Sequence, residues 1–178
     1  EQGDEPWFMW LAFNLAHAPM HLPPEENWQS DYSNLDSKEI AESDRAGYFD
    51  AMIEAMDTQI GRLLGSMEAL VRDNTYVIFL GDNGTAKANV RAPFRNGRAK
   101  STIYEGGVNT PLIITGPGIE PGTVPDALVN ASDLFVTIME MAGIDAQATV
   151  PEEVTHDSIS FMPVLADADT PSPRDWLY

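Results

Sequence analysis

Asp82 and Asn83 stand side by side at the end of Thr75-Tyr-Val-Ile-Phe-Leu-Gly-Asp-Asn-Gly-Thr85, where a β-branched and aromatic run stops at Gly81. A parallel sheet presents polar ligands in this way, because its strands are buried on both faces and its ligands collect just beyond their carboxyl ends. A carboxylate oxygen beside a neutral amide oxygen suits a hard cation. The same letters also spell a turn, since Asn-Gly is the strongest short hairpin signal and Asx residues close turns. Against a hairpin, the following Thr85-Ala-Lys-Ala-Asn89 has no alternation and makes a poor return strand. Turn and ligand pair both stand at this point.

Three further groups with chemical potential sit where strands are expected to end. His17-Ala-Pro-Met-His21 follows a first apolar run, Lys100 lies in Arg98-Ala-Lys-Ser-Thr102, and Glu105-Gly-Gly-Val-Asn-Thr-Pro111 leads into another apolar run. Taken singly each has a plain structural reading: a hydrogen-bonded surface histidine, a solvated lysine, a glycine turn. Their joint order carries more than any one of them.

The elements that must position these groups follow from periodicity. Pro6-Trp-Phe-Met-Trp-Leu-Ala-Phe-Asn-Leu-Ala16 is apolar throughout and reads as a buried strand. From Asp36 to about Arg72 the period becomes helical, with Phe49, Met52, Met56, Ile60, Leu63, Met67 and Leu70 three or four residues apart and Asp36 with Glu39 as a capping box. The Met positions are core packing. A strand over Thr75 to Leu80 follows, the order expected of a right-handed parallel crossover. A Gly- and Arg-containing loop spans Thr85 to Gly107, and Pro111-Leu-Ile-Ile-Thr115 is a further strand. Ser132 and Asp133 are expected to cap a last helix that stops at Gly143. After Gln147 the chain turns to Pro, Thr, Asp and Ala, the composition of surface loop. The expected class is α/β.

Composition bounds the function. The 178 residues, 43% hydrophobic and 9% aromatic, suffice for one domain with a substantial core. A net charge of −18, from 28 acidic and 10 basic residues, argues against a nucleic-acid or anionic-membrane surface, so an anionic substrate needs a local cationic pocket. With no cysteine there is no disulfide, thiolate nucleophile or Cys-ligated zinc. No stretch reaches the roughly 20 apolar residues of a membrane span. The start, Glu1-Gln-Gly-Asp-Glu5, is neither basic nor apolar enough for a signal peptide, and the chain begins as though cut from something longer.

A strand ending in His-x-Pro, a long helix, a strand ending in Asp-Asn-Gly, then Lys followed by Tyr-Glu-Gly-Gly-Val and a Pro-led apolar strand resembles the sulfatase family of the alkaline phosphatase superfamily. The resemblance runs over nearly the whole chain and includes Asn130-Ala-Ser-Asp-Leu-Phe-Val-Thr-Ile-Met-Glu-Met-Ala-Gly-Ile144 and Asp157-Ser-Ile-Ser-Phe-Met-Pro-Val-Leu165. It implies part of a three-layer α/β/α sandwich with a mainly parallel sheet. Residues 1–165 are then the carboxyl-terminal part of the catalytic domain, and 166–178 a loop leading into a small subdomain. It further implies that Asp82 and Asn83 are half of a divalent-metal site, usually calcium, that His17 contacts the sulfate ester, and that Lys100 neutralises the transferring group. His21 falls where members vary, and Glu105, Gly106 and Gly107 are expected to be architectural, letting backbone pass close behind Lys100. The substrate implied is a small sulfate ester or a sulfated glycan, and the setting periplasmic or secreted.

The sequence also departs from the family. The nucleophile there is a formylglycine made from Cys or Ser in Cys/Ser-x-Pro-x-Arg, preceded by two metal-binding aspartates, and neither feature is present. Asp169-Thr-Pro-Ser-Pro-Arg174 fails that pattern twice, and Asn109 stands where many members place Arg. The expectation is therefore an internal piece of a sulfatase, inactive alone and prone to self-association through strands left without neighbours. The alternatives are a phosphonate or phosphate ester hydrolase of the same superfamily, against which Asn83 speaks, and a non-catalytic pseudoenzyme domain.

Overall fold

The computed structural model describes residues 5–177, which fall into two compact units. The larger runs from Met9 to Asp73 and from Ile78 to Ile113. Its spine is α1, Arg45–Ser66, entered through a 3₁₀ turn at Glu42–Asp44 and followed by a short α2, Ala69–Asp73. The helix buries Tyr48, Ala51, Met52 and Ala55, one stripe at three- and four-residue steps. Tyr48 and Met52 pack with Met20 and Leu35 from the preceding loop, flanked by Leu15, Ala16, Leu22, Tyr32, Ile40 and Phe49. Each such side chain contributes about 1.5–3 kcal/mol by leaving water. Tyr48 keeps its hydroxyl satisfied by donating to the Asp36 carbonyl at 2.8 Å.

Polar contacts fasten the same loop to the outer face of α1. The Glu54 carboxylate accepts from the Gln29 and Ser30 amides and the Ser30 hydroxyl, and these hydrogen bonds, the Ser30 hydroxyl foremost, hold its pKa below the usual carboxylate value.

Beyond α2 the chain forms β1, Val77–Leu80, then a long loop, the four-residue α3, Glu105–Val108, and β2, Leu112–Thr115. β1 and β2 pair as a two-stranded sheet. Every residue of β1 is half-buried, less covered than its apolar run implies.

The second unit takes the residues up to Phe8, Asn74–Val77, and everything from Ile114 onward. It contains α4, Leu134–Met141, α5, Ala146–Thr149, and α6, Met162–Ala166. Leu134, Thr137, Phe161 and Val164 are buried. Asn130 caps the entry to α4 in a reciprocal box with Asp133, and Gly143 ends it at φ 70°, the left-handed stop that glycine adopts freely. Asp133 is fully buried and accepts from the Asn130 and Ile159 amides and from the Arg174 guanidinium, 2.8 Å from Nε. Arg174 also donates to the Asp157 carbonyl, so one ion pair joins three segments. Burial pushes the Asp133 carboxyl up, but these donors, Arg174 first, outweigh it and hold it below its ordinary value.

Three expectations are corrected. The apolar run from Trp7 to Leu15 is not a strand: it has no ladder partner among the described residues, and Phe8 and Trp10 are 68% and 74% exposed. Asp36 does accept from the Lys38 and Glu39 amides, yet it closes a turn nine residues before α1 begins. The residue that caps the approach to α4 is Asn130, ahead of Ser132 and Asp133. Among the described residues no helix is long and apolar enough to cross a membrane.

Candidate functional site

β1 delivers Gly81, whose amide donates to the Pro111 carbonyl at 2.9 Å, and the chain then turns out so that Asp82 and Asn83 are exposed. Gly84 lies directly against α3: a Cβ there would sit 2.6 Å from the Gly107 Cα. Gly107 in turn leaves no room on its other side, where a Cβ would stand 2.6 Å from the Ala99 carbonyl oxygen. Only hydrogen at these two positions lets three stretches of backbone stack. The consequence falls on Lys100, whose amide donates to the Thr85 carbonyl at 2.9 Å. Lys100, half-buried, is thereby tied two residues beyond Asn83.

The turn that presents Lys100 is tightly held. Ala99 is fully buried, Thr102 donates its hydroxyl to the Ala99 carbonyl at 2.7 Å, and Ser101 adopts φ 70°. A left-handed serine costs roughly 1–2 kcal/mol, tolerated where surrounding contacts over-determine the backbone. The loop before it is anchored to α1: Asn89 is buried and accepts from Arg45 Nε at 3.3 Å, while Arg91 pairs with Asp50 at 2.9 Å and donates to the Ala46 carbonyl. None of these anchors has a local signal in the sequence, because the partners lie 41 to 45 residues apart. Asn83, Thr85, Asn109 and Phe49 line a cleft of about 320 Å³.

His17 occupies a different part of this unit, in the exposed loop between Ala16 and Met20, both of which pack toward the α1 core. Its Nδ1 lies 2.9 Å from the Ala18 carbonyl, and His21 makes the similar contact to Pro19. No hydrogen bond among the described residues joins His17 to Asp82, Asn83 or Lys100. The structure therefore ties the main chain at Lys100 to the segment just after Asp82 and Asn83, and leaves His17 on its own loop.

Asp82 and Asn83 have the hard oxygens that calcium takes, but such ions want six to eight. Among the described residues no three His, Asp or Glu side chains gather to hold a metal. The pair fits a hard cation in kind and supplies two of the oxygens that such an ion takes.

The sulfatase family model matches residues 1–144. This chain belongs to the sulfatase family. The N-acetylgalactosamine-6-sulfatase of Homo sapiens is 29% identical over 168 residues, covering 90% of this chain and 28% of that protein. A sulfatase of Formosa agariphila is 30% identical over 171 residues, 89% of this chain and 30% of its own length. The uncharacterized sulfatase YdeN of Escherichia coli strain K12 is 28% identical over 96% of this chain and 29% of its own. This sulfatase chain thus spans less than a third of the curated relatives it matches. The family's activity is sulfuric ester hydrolysis and its fold is alkaline-phosphatase-like α/β; this chain contains helices and the two-stranded β1–β2 sheet.

Proposed function

We propose that this chain is the part of a sulfatase that supplies the cationic and metal-facing side of the site where a sulfate ester is hydrolysed. The observation that supports the reading is the Lys100 amide bonded to the Thr85 carbonyl, which ties the main chain at Lys100 to the segment that carries Asp82 and Asn83. A sulfate ester is anionic and its departing oxygen gains charge in the transition state, so fixed donors there stabilise that state more than the ground state. Lys100 neutralises the transferring group. Asp82 and Asn83 give two oxygens toward a calcium-type ion, which when bound would polarise the sulfate oxygens. His17, whose Nδ1 lies 2.9 Å from the Ala18 carbonyl oxygen, is the residue that contacts the sulfate ester in this reading.

The attacking group and the remaining metal ligands are supplied elsewhere in the parent protein, since the chain has no cysteine and no serine in the required motif. The chain alone is inactive. The substrate is a small sulfate ester or a sulfated glycan, in keeping with the names of the relatives. In the parent the β1–β2 pair joins a mainly parallel sheet in a three-layer sandwich, with residues 1–165 in the catalytic domain and 166–178 leading into the small subdomain.

The test is turnover of an aryl sulfate by the full-length protein. Lys100→Ala and Asp82→Ala are each expected to lower the catalytic rate constant by about 10²–10³-fold, with the thermal unfolding curve unchanged. Unaltered turnover in both variants would overturn the reading. The isolated chain is expected to show none, and activity of the purified chain that disappears in Asp82→Ala would contradict the missing-nucleophile claim.

A further inference from the structure

In a chain of net charge −18, residues 83–104 contain no aspartate or glutamate at all, yet Lys87, Arg91, Arg95, Arg98 and Lys100 lie within them, five of the chain's ten basic residues. Arg91 is committed to Asp50 and Lys100 belongs to the site above. Arg95 and Arg98 have no carboxylate within ion-pair distance among the described residues. Both line a second cleft, of about 390 Å³, together with Tyr104 and Glu105. The Arg98 guanidinium carbon lies 4.3 Å from the Tyr104 ring centroid. That cation–π contact holds the guanidinium over the ring, and its N–H groups make no ion pair among the described residues.

We infer that this cleft is a subsite for a second anionic group, a sulfate or carboxylate on a glycan whose scissile sulfate is held at Lys100. Two arginines and one glutamate line it, so the cleft attracts an oxyanion, and Glu105 is left to accept from sugar hydroxyls. The position fits a glycan. Phe94 and Gly106 line this cleft and also the cleft that contains Asn83, so the two are neighbours divided by a thin wall. That wall depends on Gly106, where a Cβ would collide with the Arg98 carbonyl oxygen. The substrate class that follows is a multiply charged glycan, in preference to a neutral sugar with a single sulfate. The inference rests on the proposed function for the placement of the scissile sulfate, and not for the existence of the anion cleft.

Calorimetric titration of the chain at low ionic strength with a disulfated disaccharide and its monosulfated counterpart tests this. The disulfated sugar is expected to bind about tenfold more tightly, the loss expected for one charge-assisted contact. Arg98→Gln and Arg95→Gln should each erase that preference, and Arg98→Lys, which keeps the charge and loses the fork, should retain part of it. A counterpart bearing a uronate in place of the second sulfate separates the two oxyanions, and equal binding of either supports the cleft. Preference surviving both glutamine variants overturns the proposal, as does its equal loss in Lys87→Gln, which would mean diffuse charge. Circular dichroism confirms that each variant is folded. If Lys100→Gln leaves binding of the monosulfated sugar unchanged while Arg98→Gln still removes the preference, the proposed function fails and the subsite stands.

Discussion

The main-chain amide of Lys100 donates to the carbonyl of Thr85 at 2.9 Å, joining a loop lysine to the turn that leaves β1. Fifteen residues separate the two positions, and the bond forms because Gly84 and Gly107 carry no side chain where backbones cross. The Lys100 backbone is therefore fixed at Thr85, two residues beyond Asn83.

The same substitution should have opposite signs at two glycines. Gly107→Ala places a methyl inside contact distance of the Ala99 carbonyl and is expected to cost about 1–3 kcal/mol. Gly61→Ala, in α1 with open space around it, should add up to about 1 kcal/mol through helix propensity. Urea unfolding of the two variants measures both, and equal effects would refute the stacked-backbone account.

Ser101 is the non-glycine residue that the described structure holds at positive φ, 70°. Ser101→Gly should stabilise the chain by a few tenths to about 1 kcal/mol, and Ser101→Val should destabilise it by more. A valine variant as stable as wild type would show that the turn relaxes and that Lys100 is less firmly placed than its contacts imply.

Asp133 makes the stability of its unit fall in acid. Its carboxyl is held below the ordinary value of 3.8, so its contribution is fully present above about pH 4 and is lost as the pH falls through the lowered folded value. Melting temperature measured from pH 6 to pH 2 should drop more steeply in wild type than in Asp133→Asn. Asp133→Ala, which breaks a buried pair, should cost about 3–5 kcal/mol at neutral pH.

In the full-length protein His17→Ala should lower the catalytic rate constant much more than it raises KM, if the ring serves the departing oxygen and not ground-state binding. Normal kinetics for His17→Ala with loss in His21→Ala would show that the other histidine of the pair carries the role.

The chain by itself is expected to associate. Phe8, Trp10 and Ile113 are 68%, 74% and 63% exposed, and a two-stranded sheet leaves edges open to another chain. Sedimentation velocity should reveal species heavier than the 19.5 kDa monomer despite the high negative charge. A clean monomer with a sharp, high melting transition would rule this out.

Local chemistry is legible in the sequence. The stop of β1 at Gly81, the exposed Asp82-Asn83 pair and the Gly143 stop depend on residues within a turn or two of one another, and the order of motifs marks a sulfatase. Of the helical stripe expected through Phe49, Met52, Met56, Ile60, Leu63, Met67 and Leu70, Met52 is buried with Tyr48, Ala51 and Ala55, whereas Leu63 and Leu70 are exposed. Tertiary structure decided the rest. Trp7 to Leu15 has the letters of a strand, but a strand exists only when a neighbour completes its hydrogen bonds, and no strand pairs with it among the described residues. Asp36 made the hydrogen bonds of a cap without a helix behind them. Arg174, the last letter of a failed nucleophile pattern, became the partner of Asp133 41 residues away. Lys100 met Thr85, and Arg98 met Tyr104, only through the folding of a loop with no periodicity of its own. Periodicity and turn propensity are written in neighbouring residues, whereas which distant backbones touch is set by the shape of the packed chain, where a missing Cβ can matter as much as a charge.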